Sequence, residues 1–62
     1  MEIKESKSYK VYRVNGWSKP MTYLGIKDGA TVKRLLKGCV YDKYWKVWVG
    51  KCIDYEVREV EE

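Results

Sequence analysis

Histidine and phenylalanine are both missing from this chain of 62 residues, which also holds only one proline and two cysteines. Without histidine there is no Ser-His-Asp or Cys-His constellation and no imidazole base. Catalysis would have to rest on carboxylates or lysines, and alternation places Asp42, Asp54 and Glu56 where solvated surface charges sit. Cys39 and Cys52 are too few and too widely spaced for a zinc site. Neither has an activating base in the sequence, and buried free thiols are the expectation for both, ahead of a bridge. Gly16, Gly25, Gly29, Gly38 and Gly50 are isolated, so no phosphate-cradling loop is present. No apolar run approaches the roughly 18 residues of a membrane span, and the charged opening from Met1 to Lys7 is not followed by the apolar segment of a signal peptide. These absences point to a cytoplasmic protein that is not an enzyme, has no cofactor and has no membrane partner.

What is abundant is aromatic and basic. A chain this short buries only about 60% of the surface its unfolded form exposes, and it is expected to form one small domain over 1–62, frayed at 1–8 and 59–62. Three Trp and six Tyr compensate, because a large ring buries roughly 150 to 250 Å². Four of these nine rings lie in Tyr41–Gly50, which reads as the central strand. Trp45, Val47 and Val49 then share one side, and Tyr44, Lys46 and Trp48 the other.

Tyr9–Val14 is rich in β-formers and reads as the first strand. If Tyr9 and Val11 point inward, Lys10 and Tyr12 extend the surface of Lys46 and Trp48. Asn15-Gly16 signals a turn, but Pro20 argues for a longer loop, with a second strand at Met21–Ile26. Asp28-Gly29 reads as another turn. Val32, Leu35 and Leu36 form one apolar stripe of a short helix capped by Thr31 and stopped by Gly38, with Lys33, Arg34 and Lys37 facing solvent. The last strand, Cys52–Arg58, alternates between Ile53, Tyr55 and Val57 inside and Asp54, Glu56 and Arg58 outside. An odd-length turn at Gly50 is expected, since it would bring Trp45, Val47, Ile53 and Tyr55 together and set Lys46 beside Asp54 or Glu56.

Val14-Asn15-Gly16, followed after a strand by Asp28-Gly29-Ala30-Thr31-Val32-Lys33-Arg34-Leu35-Leu36, resembles the opening hairpin and helix start of the ubiquitin-like sulfur carriers of thiamine and molybdopterin synthesis. The resemblance implies a β-grasp-like arrangement. It implies no carrier activity, because the chain ends in Glu61-Glu62 where those carriers have Gly-Gly. The fold expected is therefore α+β, a small mixed or antiparallel sheet with one short helix in the order ββαββ, the alternative being an SH3-like small barrel.

The net charge of +4 is unevenly distributed. Residues 1–38 carry nine Lys or Arg against three Asp or Glu, and residues 39–62 four against six. Cations for phosphate and rings for stacking are the ingredients of a nucleic-acid surface, and Lys10, Tyr12, Arg13, Trp17, Lys19, Lys33, Arg34, Tyr44, Lys46 and Trp48 supply them. No specific nucleic-acid motif accompanies them. Trp, Tyr and Arg are equally the residues of protein-binding hot spots. The sequence thus supports a non-catalytic binding module, placing nucleic acid slightly ahead of a protein partner. The protein-binding alternative is an inhibitor or regulator, such as a small phage or mobile-element protein that blocks a host factor.

Overall fold

A computed structural model describes residues 1–16 and 18–60. The expectations placed on Trp17 and on the Glu61-Glu62 end lie outside the described residues. The chain is α+β, with strands β1 (Ser8–Val14) and β2 (Thr22–Asp28), helix α1 (Gly29–Leu35), and strands β3 (Val40–Asp42), β4 (Val47–Val49) and β5 (Asp54–Glu59). The five strands form one sheet in the order β2-β1-β5-β4-β3, and each neighbouring pair is antiparallel. The element order is ββαβββ, one strand more than expected.

The extra strand arises because Tyr41–Gly50 is not one strand. Asp42 accepts hydrogen bonds through Oδ1 from the backbone N–H groups of Tyr44 and Trp45, at 2.9 and 3.1 Å. Lys46 completes the reversal with φ at 57°. An aspartate side chain that satisfies backbone donors two and three residues on competes directly with the strand ladder. The aromatic stretch therefore folds into the β3–β4 hairpin at one edge of the sheet, and β5 takes the central place.

Register then sorts the side chains. Tyr9 and Val11 are fully buried, and Val57 lies opposite Val11. On this face Val32 and Leu36 of the helix segment join them in the core, along with Ile3 from the amino-terminal segment. Leu35, Trp48 and Tyr55 pack around that cluster, so the apolar helix stripe lies where its spacing places it. Residues 1–7 pass close over the helix start. The Lys4 amide donates to the Tyr9 hydroxyl at 2.9 Å, and Gly29 N–H donates to the Lys7 carbonyl at 2.8 Å. A Cβ on Gly29 would lie 1.8 Å from the Lys4 carbonyl oxygen, so only glycine admits this approach.

Three local expectations are corrected. Asp28, not Thr31, caps the helix, accepting from the Thr31 amide at 2.8 Å. Asp28-Gly29 is thus the start of the helix and not a separate turn. The β4–β5 connection has four residues, Gly50 to Ile53, and pairs Trp48 with Tyr55 and Val49 with Asp54. The odd turn does not form because Trp48, with the largest apolar surface, takes the inner face and sends Val47 and Val49 outward. Asp54 is used in that loop, accepting from Gly50 N–H at 3.2 Å. Lys46, in the β3–β4 turn, lies opposite neither Asp54 nor Glu56. Finally, both cysteines are free, but Cys39 is only half-buried, packed against the core cluster, and Cys52 is exposed, so they are not two buried thiols.

Candidate interaction surface

One face of the sheet carries the helix, and the other has no element laid over it among the described residues. Paired residues of an antiparallel ladder share a face, so the registers map this outer surface as rows across the strands. Ile26, Lys10 and Arg58 form one row, and Tyr23, Tyr12 and Glu56 the next. Val14, Asp54, Val49 and Val40 form a third. The strands hold this arrangement because Tyr9, Val11, Tyr55 and Val57 are committed to the core, which forces their sequence neighbours outward.

Within the second row the Tyr12 and Tyr23 rings are 5.2 Å apart and tilted by 43°. The Arg58 guanidinium carbon lies 4.9 Å from the Tyr12 ring centroid, and its Nη2 donates to Glu56 Oε2 at 2.9 Å. Arg58 is thereby held flat on the sheet by a ring and a carboxylate. At an exposed site such a cation–π contact contributes about 0.5 to 1 kcal/mol. At the other end Val14, Trp45, Val47 and Val49, with Asp42 and Asp54, line a concavity of about 270 Å³. Large apolar groups are left in solvent across this face: Tyr23 is 52% exposed, Ile26 56% and Val40 72%.

The residues expected to form a site are not gathered together. Lys10 and Tyr12 share the outer face, as their alternation with Tyr9 and Val11 requires. Arg13 alternates to the opposite face. Lys33 and Arg34 lie exposed on α1, on the far side of the sheet, and Lys33 Nζ is 3.9 Å from Glu5. Lys19 lies in the β1–β2 loop, where Asn15 Nδ2 donates to the Pro20 carbonyl and to Thr22 Oγ1. Tyr44 is exposed in the β3–β4 turn, its ring edge-on to Trp45 at 4.8 Å, beside Lys46. Trp48 corrects the expected pairing with Lys46 on a solvent face. It packs inward against the core, 5.2 Å from the Tyr41 ring, and its buried indole N–H has no hydrogen-bond partner.

Tyr23, Ile26, Trp45 and Arg58 were not singled out from the sequence as surface candidates. Arg58 was legible, since it alternates with Asp54 and Glu56. Tyr23 and Ile26 were hidden because the β1–β2 ladder slips between Val11 and Tyr12. Val11 faces Gly25 and Tyr12 faces Tyr23, leaving Leu24 as the extra residue, with Gly25 at φ 102°. Such a bulge breaks simple two-residue alternation.

Among the described residues no group of three or more His, Cys, Asp or Glu could hold a metal ion. No helix among the described residues is long and apolar enough to cross a membrane. The Asp28 carboxyl is held below its ordinary 3.8 by hydrogen bonds from Thr31, with Arg34 adding to the effect. Compared with known proteins, the chain matches no family model, no curated protein and no solved structure.

Proposed function

We propose that this protein is a non-catalytic protein-binding module, acting through the uncovered face of its sheet as an inhibitor or regulator of its partner. The observation that carries this reading is the composition of that face. Tyr23, Ile26, Val40 and Val49 stand exposed beside the Tyr12–Arg58 stack. Lys10 and Arg58 share it with the acids Asp28, Asp42, Asp54 and Glu56. Exposed apolar groups with aromatic and arginine anchors are what interface hot spots use. A surface for phosphate needs an excess of cations, and here the basic side chains are spread over both sides of the sheet. That favours a protein partner over nucleic acid, reversing the order suggested by composition.

The test is affinity capture from cells of the source organism with the tagged wild type and with Tyr23→Ala, Ile26→Asp and Arg34→Glu. A partner held by wild type and Arg34→Glu but lost with both outer-face variants supports the proposal. Equal capture by all four proteins overturns it. So does tryptophan-monitored binding of oligonucleotides that weakens steeply with salt, which would restore the nucleic-acid reading.

A further inference from the structure

The two cysteines are far apart in sequence but open onto the same place in the fold. Cys39, just before β3, and Cys52, in the β4–β5 loop, both line one concavity of about 410 Å³, together with Lys37, Lys51 and Tyr55. This hollow lies apart from the outer face described above, and two of its lining residues, Cys39 and Tyr55, also pack against the core cluster.

A second observation fixes the direction of Cys39. β3 and β4 pair Val40 with Val49, so continuing the register sets Cys39 opposite Gly50. A Cβ on Gly50 would lie 3.1 Å from Cys39 Sγ and 2.5 Å from the Ile53 carbonyl oxygen. The Cys39 sulfur therefore lies close against Gly50, beside the Ile53 carbonyl that leaves no room for a side chain there. It sits against the loop that carries Cys52, and Ile53 closes that loop back on Gly50. Two residues of chain span at most about 7 Å, so Cys52 cannot lie far from Gly50.

We propose that Cys39 and Cys52 form a reversible dithiol–disulfide site that exchanges with a small anionic disulfide of the glutathione type. Cys52 is exposed and Cys39 half-buried, which sets the order of events. The Cys52 thiol gives its proton to solvent, and its thiolate attacks one sulfur of the small disulfide, expelling one thiol and forming a mixed disulfide. Lys37 and Lys51 border the hollow and attract the carboxylates of the incoming molecule. Cys39 then gives its proton to solvent, its thiolate attacks Cys52 Sγ, and the Cys39–Cys52 bond forms as the mixed disulfide breaks. The second leaving thiolate takes up a proton from solvent to leave as a thiol. The protein is oxidised by two electrons, and the small disulfide is reduced to two thiols. The product ties the β4–β5 loop to the start of β3.

The experiment is incubation of the purified protein with glutathione disulfide, alkylation of remaining thiols, and intact-mass measurement without reductant. Wild type is expected to lose about 2 Da, the two thiol hydrogens, with a rise in Tm on the order of 10 °C. Cys39→Ser should stop at one glutathione adduct on Cys52, and Cys52→Ser should react more slowly. The same oxidation in guanidinium should close the internal bond at least about tenfold more slowly relative to adduct formation, because the unfolded chain does not hold the sulfurs together. A wild type that accumulates glutathione adducts without internal closure, or one that only cross-links between molecules, overturns the proposal. So does closure at the same relative rate in the folded and unfolded chain.

Discussion

Asp28 and Gly29 show how much structure two adjacent residues can determine. The Asp28 carboxylate accepts from the Thr31 amide, satisfying one of the donors that a helix start leaves open. Those hydrogen bonds hold its folded acidity below 3.8, so the folded state favours the ionised form. The stabilisation is complete above the ordinary carboxyl range and is lost as pH falls through the lower folded value. Asp28→Ala should lower Tm at neutral pH. Asp28→Asn, which keeps a capping oxygen but cannot titrate, should lose less and should flatten the acid side of the Tm-against-pH curve. A curve for Asp28→Asn that still tracks wild type below pH 3.8 would mean that another carboxylate governs it. At Gly29 the issue is volume, because an added methyl group meets the backbone of Lys4. Gly29→Ala should cost about 2 to 3 kcal/mol in urea unfolding. A change below roughly 0.5 kcal/mol would show that residues 1–7 yield freely.

At the scale of elements, the sequence was informative wherever one physical signal acted alone. Tyr9 and Val11 against Lys10 and Tyr12, Tyr55 and Val57 against Glu56 and Arg58, and the Val32, Leu35 and Leu36 stripe all follow from periodicity. The misreadings came where a local hydrogen bond competed with that periodicity. Asp42 converts a β-rich stretch into a hairpin by bonding to Tyr44 and Trp45, and aromatic content gives no warning of it. Gly25 does the same to β2 through a bulge. In the β3–β4 turn, Lys46 has φ 57°, a conformation costing a side-chain-bearing residue about 1 to 2 kcal/mol. Glycine there loses more entropy on folding but escapes the steric cost. Lys46→Gly is expected to stabilise the protein by about 0.5 to 1 kcal/mol, read as a higher urea midpoint with an unchanged slope. A lower midpoint would show that the Lys46 side chain makes contacts worth more than the strain.

For the whole molecule the decisive contrast is between the two sides of the sheet. Among the described residues the buried apolar side chains, Ile3, Tyr9, Val11, Val32, Leu36 and Val57, belong to one cluster on the helix side. A single small cluster leaves little reserve of stability. Val32→Ala removes two methyl groups from a site with no exposure and should cost about 2 to 3 kcal/mol, a large share of the total. The opposite face holds apolar side chains of comparable size that fold the chain far less. Tyr23, Ile26 and Val40 are each more than half exposed, so replacing all three by serine removes little buried area. That triple variant should unfold within about 1 kcal/mol of wild type while losing the partner captured through the outer face. If it unfolds as readily as Val32→Ala, the face contributes to folding and its exposed side chains need no partner to explain them. If it stays folded and still holds the partner, the contact lies elsewhere, and the surface of α1 around Arg34 is the next to change. Only retained stability together with lost binding separates a surface kept for a partner from one kept for the fold.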